Sequence, residues 1–287
     1  MRAGLTEAPR QWTDLPVLMP YRAPEPVRFS GRLPAPILVA LVLGGLLIAG
    51  TAGAQGAAQP SGSFLAVIWR WTPLLLQGFA FNLLISALAM VIGTVAGTGL
   101  GLAQLGGPGV LRGAAWFVTQ FFRNAPWLVL LFFVMFLVPF QVRVGGVTIP
   151  LPDWMKATVG FALPVMANMS EIVRGAVRSV PTGQWEAADS LAFTPRQIMW
   201  RIILPQCVKR MIPPWMNLYS LVTMATVQAS VVGVTEMLTL TAQVHAAEGS
   251  RPELFAPLYG FALLCFFIYC YPIDRWTARL ERRFAER

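Results

Sequence analysis

Apolar residues follow one another in long runs along this chain, and charged residues collect in the short segments between the runs. The runs cover about residues 36–58, 74–105, 114–140, 154–177, 211–240 and 254–271. A helix needs about 20 mostly apolar residues to cross the hydrocarbon core of a bilayer, and each run comes close to or exceeds that length. The pattern therefore predicts an all-α integral membrane protein with about six transmembrane helices.

The composition of the 287 residues supports this prediction. The chain is 56% hydrophobic and only 12% charged, and its mean hydropathy is +0.60. An average soluble domain carries about 25% charged residues. The composition therefore excludes a disordered chain, a nucleic-acid-binding domain and a typical cytosolic enzyme. The three cysteines are expected to be free thiols, and the single histidine, His245, has no companions for a metal site.

The 22 basic residues predict the orientation of the chain in the membrane. With the N-terminus inside, five lie in the N-terminal arm, one in the 106–113 turn, six between Arg174 and Arg210, and five in the C-terminal tail. Four basic residues fall outside, and Arg123 lies at the membrane edge. Cytoplasmic loops are enriched in Lys and Arg, so both termini are predicted to be cytoplasmic.

The chain divides into three parts. Residues 1–33 are rich in Pro and Arg without periodicity and are interpreted as a flexible cytoplasmic arm. Residues 34–58 are predicted to form an extra N-terminal span. A signal peptide is the alternative, but the preceding arm is longer than a normal charged leader. Residues 72–285 form the main transmembrane domain, in which Gly93, Gly97 and Gly101 predict close packing of another helix.

The segment 181–205 lies on the predicted cytoplasmic side and has the pattern of two short helices. Pro181 and Gly183 end the fourth apolar run, and Glu186-Ala187-Ala188 favours helix. Thr194 suits an N-cap, with Pro195 at the first helical position and Gln197 completing a capping box. The second helix is expected to end near Pro205. A folded helix pair here indicates a docking surface, and the alternative is an amphipathic loop that rests on the bilayer.

The same segment resembles the EAA loop of ABC-importer permease subunits. Six residues match its spacing: Glu186, Ala187, Ala188, Ile202, Leu204 and Pro205. Ala192 stands where that family has Gly, and a positive φ there would cost alanine about 1 kcal/mol. The resemblance implies a five-helix permease core in which the residues just named, with Ala192, Thr194 and Pro195, contact a separate ATPase.

Other motifs are similar to those of permeases for polar amino acids such as histidine, glutamine, glutamate and arginine. They are the Ser170–Gly175 and Ser179–Gln184 stretches, Arg123 with Pro126-Trp127-Leu128, and Ser230–Val234. This similarity implies a multi-pass transport subunit of the bacterial inner membrane that binds no cofactor and is not an enzyme. It also implies two ATPase copies that hold ATP and Mg²⁺, a second permease subunit, and a periplasmic or tethered solute-binding protein. Membrane lipid is expected as a partner and nucleic acid is not. The chain has no G-x-x-x-x-G-K-[ST] phosphate loop of its own.

Polar side chains inside apolar runs are the candidates for the translocation path. They are Asn82, Arg123, Asn168, Glu171, Arg174, Thr226 and Gln228. Glu171 and Arg174 are three residues apart and are expected to pair as a brace. Met224 and Ala225 stand where the family has a basic and an acidic residue. The missing acid argues against this subunit binding Arg or Lys through that position. The alternative is that this subunit is the non-binding half of a heterodimer whose paralogue carries the site. Glu236 is expected to be an exposed carboxylate near the outer end of the fifth run.

Two other classes of function are weighed against an ABC permease. A stand-alone secondary transporter or channel requires repeats with broken helices, and no convincing repeat is found. A membrane enzyme requires paired acids or an activated nucleophile within the spans, and none is visible. Within the ABC class, a permease for a different small solute shares the same EAA pattern and is kept as an alternative.

Overall fold

The computed structural model describes residues 63–144 and 147–285. In this part, the chain forms nine α-helices and one short hairpin. The helices are α1 (Phe64–Gly106), α2 (Gly109–Asn124), α3 (Trp127–Leu137), α4 (Asp153–Arg178), α5 (Thr182–Ser190), α6 (Pro195–Gln197), α7 (Leu204–Ala225), α8 (Met237–Ala247) and α9 (Pro252–Ala285). A π-helical turn, Ile198–Ile203, joins α6 to α7, and a 3-10 segment, Thr226–Val232, follows α7. The predicted N-terminal arm and first span lie outside the described residues.

Helices α1 and α4 pack closely along the glycine stripe of α1. A Cβ atom on Gly93 would meet Val165 Cγ1 at 2.3 Å, and one on Gly97 would meet Met166 O at 2.4 Å. A Cβ atom on Gly101 would lie 2.8 Å from Ser170 O. Small residues let two membrane helices approach until their backbones touch, which confirms the packing predicted from the stripe.

The third and fifth apolar runs are broken helices rather than single straight ones. The axes of α2 and α3 differ by 109° at Ala125-Pro126. Proline lacks an N–H and disfavours helical geometry in the residue before it, and Ala125 is extended, with φ −76° and ψ 138°. The fifth run bends by 52° between Val232 and Met237, where Gly233 has φ 88°. Glycine tolerates this left-handed conformation, in which the helix cannot continue.

Two of the described helices, α1 and α9, are each long and apolar enough to cross a membrane alone, and the two bent pairs qualify when each is taken as one span. Helix α4 carries Lys156, Glu171 and Arg174 yet forms over the predicted fourth run. The all-α prediction is thereby confirmed, while the number of six spans stays a prediction.

An antiparallel hairpin joins α3 to α4 where a loop was predicted. Strand β1 (Gln141–Val144) pairs with β2 (Val147–Pro150), with Gln141 opposite Pro150 and Arg143 opposite Thr148. In the sequence, Gly145 and Gly146 separate the two strands, and a glycine pair favours short hairpin turns. The all-α fold therefore carries this one exception in its described part.

The core of the described part includes a polar contact between three helices. Thr119 of α2 and Ser170 of α4 lie 2.9 Å apart, and Gln104 of α1 donates to Thr119 Oγ1 at 2.8 Å. All three residues are buried. Interhelical hydrogen bonds of this kind satisfy polar groups that have no access to water. The three cysteines are free, as expected.

Candidate functional site

The segment 181–205, named the coupling segment from here on, forms a helix pair at the end of α4. Helix α5 begins after Pro181 and ends at Ser190, a four-residue connection follows, and α6 begins at Pro195. This confirms the predicted helix pair. Glu186, Ala187 and Leu191 are exposed on its outer side, and Leu191 exposes 72% of its surface.

The turn between the two helices requires a left-handed residue. Ala192 has φ 57°, and its N–H donates to Asp189 O at 2.8 Å. The N–H of Phe193 donates to Ala188 O at 3.3 Å. These bonds use carbonyl groups that the last turn of α5 leaves free, as in other left-handed helix caps. The family's glycine position thus keeps a glycine-like backbone here, although alanine occupies it.

The second helix starts at the predicted capping box. Gln197 N donates to Thr194 Oγ1 at 3.4 Å, and Thr194 N donates to Gln197 Oε1 at 2.9 Å. The helix does not end near Pro205 as predicted. The turn Ile198–Ile203 widens to π geometry, and α7 then starts with Pro205 in its first turn. Proline is tolerated in a first helical turn because its missing N–H would have no partner there.

The two alanines of the EAA motif point in different directions. Ala187 is exposed, whereas Ala188 exposes only 3% of its surface and packs with Ile198, Ile203 and Val177. Ala188 therefore fills the interior of the helix pair, and Glu186 and Ala187 remain on its surface. Ile202 and Leu204 are half-buried, and Pro205 is exposed.

An arginine ties the coupling segment to the end of α4. Arg210 of α7 donates to the carbonyl of Ser179 and, at 2.7 Å, to Ser179 Oγ. Ser179 follows the last residue of α4, and Arg210 lies in the second turn of α7. The end of α4 and the start of α7, which flank the coupling segment, are thus joined to each other.

The three predicted charged residues of the path meet around one carboxylate. Glu171 accepts from Arg174 Nε at 3.2 Å and also from Arg174 Nη2, so the predicted brace forms. Arg123, at the end of α2, lies 3.7 Å from Glu171 Oε2. The Glu171 side chain exposes 13% of its surface and that of Arg123 exposes 47%. The cluster carries one net positive charge beside the break at Pro126.

Asn168 and Gln228 differ in how their polar atoms are satisfied. Asn168 Nδ2 donates to Pro164 O of the same helix at 2.8 Å. Gln228 Oε1 is buried and, within the described part of the chain, has no hydrogen-bond partner. A buried acceptor without a partner is costly, so the Gln228 side-chain oxygen is a polar atom that the described helices leave unsatisfied.

Asn82 and Thr226 are fully buried and meet a third residue, Glu236, in what we name the Asn82 cluster. Asn82 Nδ2 donates to Thr226 Oγ1 at 3.0 Å and to Glu236 Oε2 at 2.9 Å. Asn82 Oδ1 accepts from Met237 N at 3.1 Å. Helix α1 thereby binds both sides of the break in the fifth run.

The expectation of an exposed carboxylate at Glu236 is wrong, because this residue has no exposed surface. Glu236 is the N-cap of α8 and accepts from Leu238 N at 3.0 Å and from Thr239 N at 2.9 Å. Capping by an acidic side chain compensates for its burial. The break after Gly233 was the signal that would have identified Glu236 as a cap. The described residues contain no group of metal-binding side chains.

Residues 89–286 match the family described as the inner membrane component of binding-protein-dependent transport systems. The chain belongs to this family. The match includes the coupling segment and α2 to α9, and it confirms the resemblance found in the motifs. The chain is therefore an integral membrane transport subunit and not an enzyme, since the ATPase of such systems is a separate subunit.

Three relatives of this permease in Bacillus subtilis are named as amino-acid, cystine or glutamine transport permeases. A probable amino-acid ABC transporter permease, YckA of Bacillus subtilis, is 33% identical over 214 residues, which are 74% of this chain and 90% of YckA. The L-cystine permease TcyB of the same organism is 28% identical over 74% of this chain and 86% of its own length. A probable glutamine permease, GlnP, also of Bacillus subtilis, is 26% identical over 76% of this chain and 94% of its own length.

Solved structures share the fold. A crystal structure of an amino acid ABC transporter with histidines aligns with a TM-score of 0.65 and 22% identity. The alignment covers 78% of this chain and 99% of the chain in that structure. An inward-facing structure of the MetNI methionine ABC transporter matches 75% of this chain and 97% of its own, with a TM-score of 0.58 and 18% identity. At these identities the likeness concerns the fold alone.

Proposed function

We propose that this chain forms the translocation path of an ATP-driven importer for a polar amino acid and couples it to a separate ATPase through the coupling segment. A binding protein delivers the solute at the outer face. Two ATPase subunits, which hold ATP and Mg²⁺, and a second permease subunit, either a paralogue or another copy of this chain, complete the importer. Both termini lie in the cytoplasm of a bacterial cell, and the chain resides in its inner membrane.

The observation that carries the proposal is the exposed edge of the coupling segment. Glu186, Ala187 and Leu191 project from a helix pair whose inner side is held by Ala188 and Ile203. A buried inner side fixes the orientation of the pair, and Leu191 adds an exposed apolar side chain to its outer side. An amphipathic loop resting on the bilayer would not need the capped turn at Ala192.

The names of the relatives support an amino acid as the solute. YckA, TcyB and GlnP are named for amino acids, cystine and glutamine. Within this chain, Gln228 and the Arg123–Glu171–Arg174 cluster are the polar groups available to a zwitterion. The missing acid at Ala225 favours a neutral or acidic amino acid over a cationic one.

Glu186→Arg tests the coupling role, because it reverses the charge of the exposed carboxylate of the EAA pattern and leaves the buried residues of the helix pair unchanged. We expect the permease to fold and insert but to lose co-purification with its ATPase, and to lose ATP-linked uptake in reconstituted vesicles. Glu281→Arg is the matched control, since it makes the same charge change on an exposed residue of α9. Normal assembly and uptake by Glu186→Arg would refute the coupling role.

The solute is tested with the binding protein that works with this permease. Binding of a panel of neutral, acidic and basic amino acids is measured by calorimetry, and the ligand is then used in uptake assays. Uptake driven without any ATPase would favour a secondary transporter or channel. Binding of a solute other than an amino acid would favour the alternative of an ABC permease for a different small molecule.

A further inference from the structure

A groove of about 950 Å³ lies between the end of α1 and the coupling segment. Most of its walls are apolar. The lining from α1 and the start of α2 includes Leu102, Leu105 and Leu111, and other lining residues include Val177 and Met199. A second groove of about 590 Å³ is lined by Thr194, Arg196, Gln197, Trp200 and Arg201, so Arg196 and Trp200 border both.

The charges around the two grooves are all positive. Arg178 and Arg196 line the larger groove, and Arg196 and Arg201 line the smaller one, with no acidic residue in either lining. All three arginines are exposed. Among the residues that the structure describes, none of the three forms an ion pair. Unpaired guanidinium groups at the mouth of an apolar groove match a ligand with an anionic head and an apolar body.

With the cytoplasmic placement of the coupling segment proposed above, the grooves lie at the level of the lipid headgroups. Helices α1 and α4 end at Gly106 and Arg178, and both residues line the larger groove. Trp185 and Trp200 also line it, and Trp200 exposes 58% of its surface. Tryptophan is enriched at the headgroup level of membranes. Basic pockets between helix ends on the cytoplasmic side attract anionic lipid headgroups.

We propose that the larger groove binds an anionic phospholipid of the cytoplasmic leaflet, with its phosphate near Arg178 and Arg196 and an acyl chain against Leu102 and Leu105. The proposal rests on the cytoplasmic placement of the coupling segment given under Proposed function. The lipid site borders the edge that contacts the ATPase: Glu186, Ala187 and Leu191 do not line the groove, whereas Pro195, which the EAA resemblance also assigns to the ATPase contact, does. A bound lipid would fill the space beside α5 and support the coupling segment from the membrane side.

The test compares phosphatidylglycerol with phosphatidylcholine on the purified permease, alone and in complex with its ATPase. Native mass spectrometry gives the dissociation constant of each lipid. We expect wild-type protein to prefer phosphatidylglycerol. Each arginine near a membrane surface contributes about a fivefold gain in affinity, so R178Q/R196Q is expected to bind phosphatidylglycerol about 25-fold more weakly. Its affinity for phosphatidylcholine is expected to change little.

The matched control is R279Q/R282Q, which removes two exposed arginines from α9 outside the groove and is expected to leave lipid affinity unchanged. Co-purification of R178Q/R196Q with the ATPase shows that the variant is folded. If that variant does not assemble, the single changes Arg178→Gln and Arg196→Gln are measured, each with an expected fivefold loss.

Three results would overturn the proposal. They are equal affinity for the two lipids, an unchanged phosphatidylglycerol affinity in R178Q/R196Q, and loss of the lipid when the ATPase binds, which would make the ATPase the occupant. Glu186→Arg separates the two proposals. If that variant still binds both the ATPase and the lipid, the coupling role is refuted and the lipid site stands. If it no longer binds the ATPase and shows no lipid preference, the lipid site is refuted and the coupling role stands.

Discussion

Replacement of Asn82 by alanine removes the side chain that joins α1 to both sides of the break in the fifth run. Three hydrogen bonds are lost. Two of the three partner groups keep another hydrogen bond, and the third does not. Thr226 Oγ1 still donates to Thr223 O at 2.7 Å, and Glu236 Oε2 still accepts from Leu238 N at 3.0 Å. The Met237 N–H loses Asn82 Oδ1, its acceptor at 3.1 Å, at the first residue of α8.

The size of the effect depends on that orphaned N–H. An interhelical hydrogen bond in a membrane protein contributes only about 0.6 kcal/mol on average and about 1.7 kcal/mol at most. A buried donor left without a partner costs about 1–3 kcal/mol. Because Asn82 and Glu236 have no exposed surface, water does not easily replace the lost acceptor. We expect a total loss of about 2–3 kcal/mol, or a fall of about 4–12 °C in the unfolding midpoint.

Thermal unfolding of the purified permease measures this loss. Asn168→Ala is the control, because Asn168 donates to Pro164 of its own helix and is only half-buried, so about 1 kcal/mol or less is expected. Asn82→Asp keeps the size of the side chain but places a second carboxylate next to that of Glu236. It is expected to destabilise the protein at least as much as Asn82→Ala does. Equal midpoints for Asn82→Ala and Asn168→Ala, or a wild-type midpoint for Asn82→Asp, would refute the reasoning.

Two further predictions use paired variants whose expected signs or sizes differ. Gly97→Ala places a Cβ atom 2.4 Å from Met166 O and is expected to lower the free energy of unfolding by about 1–3 kcal/mol. Gly99→Ala meets no atom within 4 Å and is expected to be neutral or stabilising. Chemical denaturation in detergent measures both variants, and similar losses would contradict the packing argument. Ala192→Gly removes the strain of a side chain at φ 57° and is expected to raise stability by about 1 kcal/mol. Ala187→Gly, on the exposed side of α5, is expected to lower stability by about 1 kcal/mol. Proteolysis of the coupling segment measures both changes, and a change in the same direction for the two variants would contradict the left-handed turn.

The local signals in the sequence predicted the coupling segment well. Thr194, Pro195 and Gln197 are within four residues of one another, and a capping box depends only on such neighbours. The glycine stripe of α1 was equally readable, because residues four apart lie on one helix face. The pairing of Glu171 with Arg174 follows from the same spacing. Each of these predictions needed only one helix and its own periodicity.

The breaks in the third and fifth runs were missed for a different reason. Hydropathy averages over a window and records apolar length, so it gives the same value for a straight helix and for two helices bent at Pro126. A proline within a membrane helix is often tolerated, because neighbouring groups satisfy the freed carbonyl. Whether Ala125 becomes extended is therefore decided by packing around it. The extra contact of Arg123 with Glu171 depends on that bend and was missed with it.

The burial of Glu236 shows which information a single stretch of sequence lacks. A carboxylate in an apolar environment is stable only if donors surround it. Here three donors come from its own helix, namely the N–H groups of Leu238 and Thr239 and the Thr239 hydroxyl, and one comes from Asn82, which lies 154 residues earlier. The local donors alone would have suited an exposed cap, so the sequence around Glu236 is compatible with both states. The interhelical donor decides between them, because it lets α8 start against α1 with its cap buried. Asn82 and Glu236 therefore have to be interpreted as a pair, and a change at either one is expected to act on the same break in the fifth run.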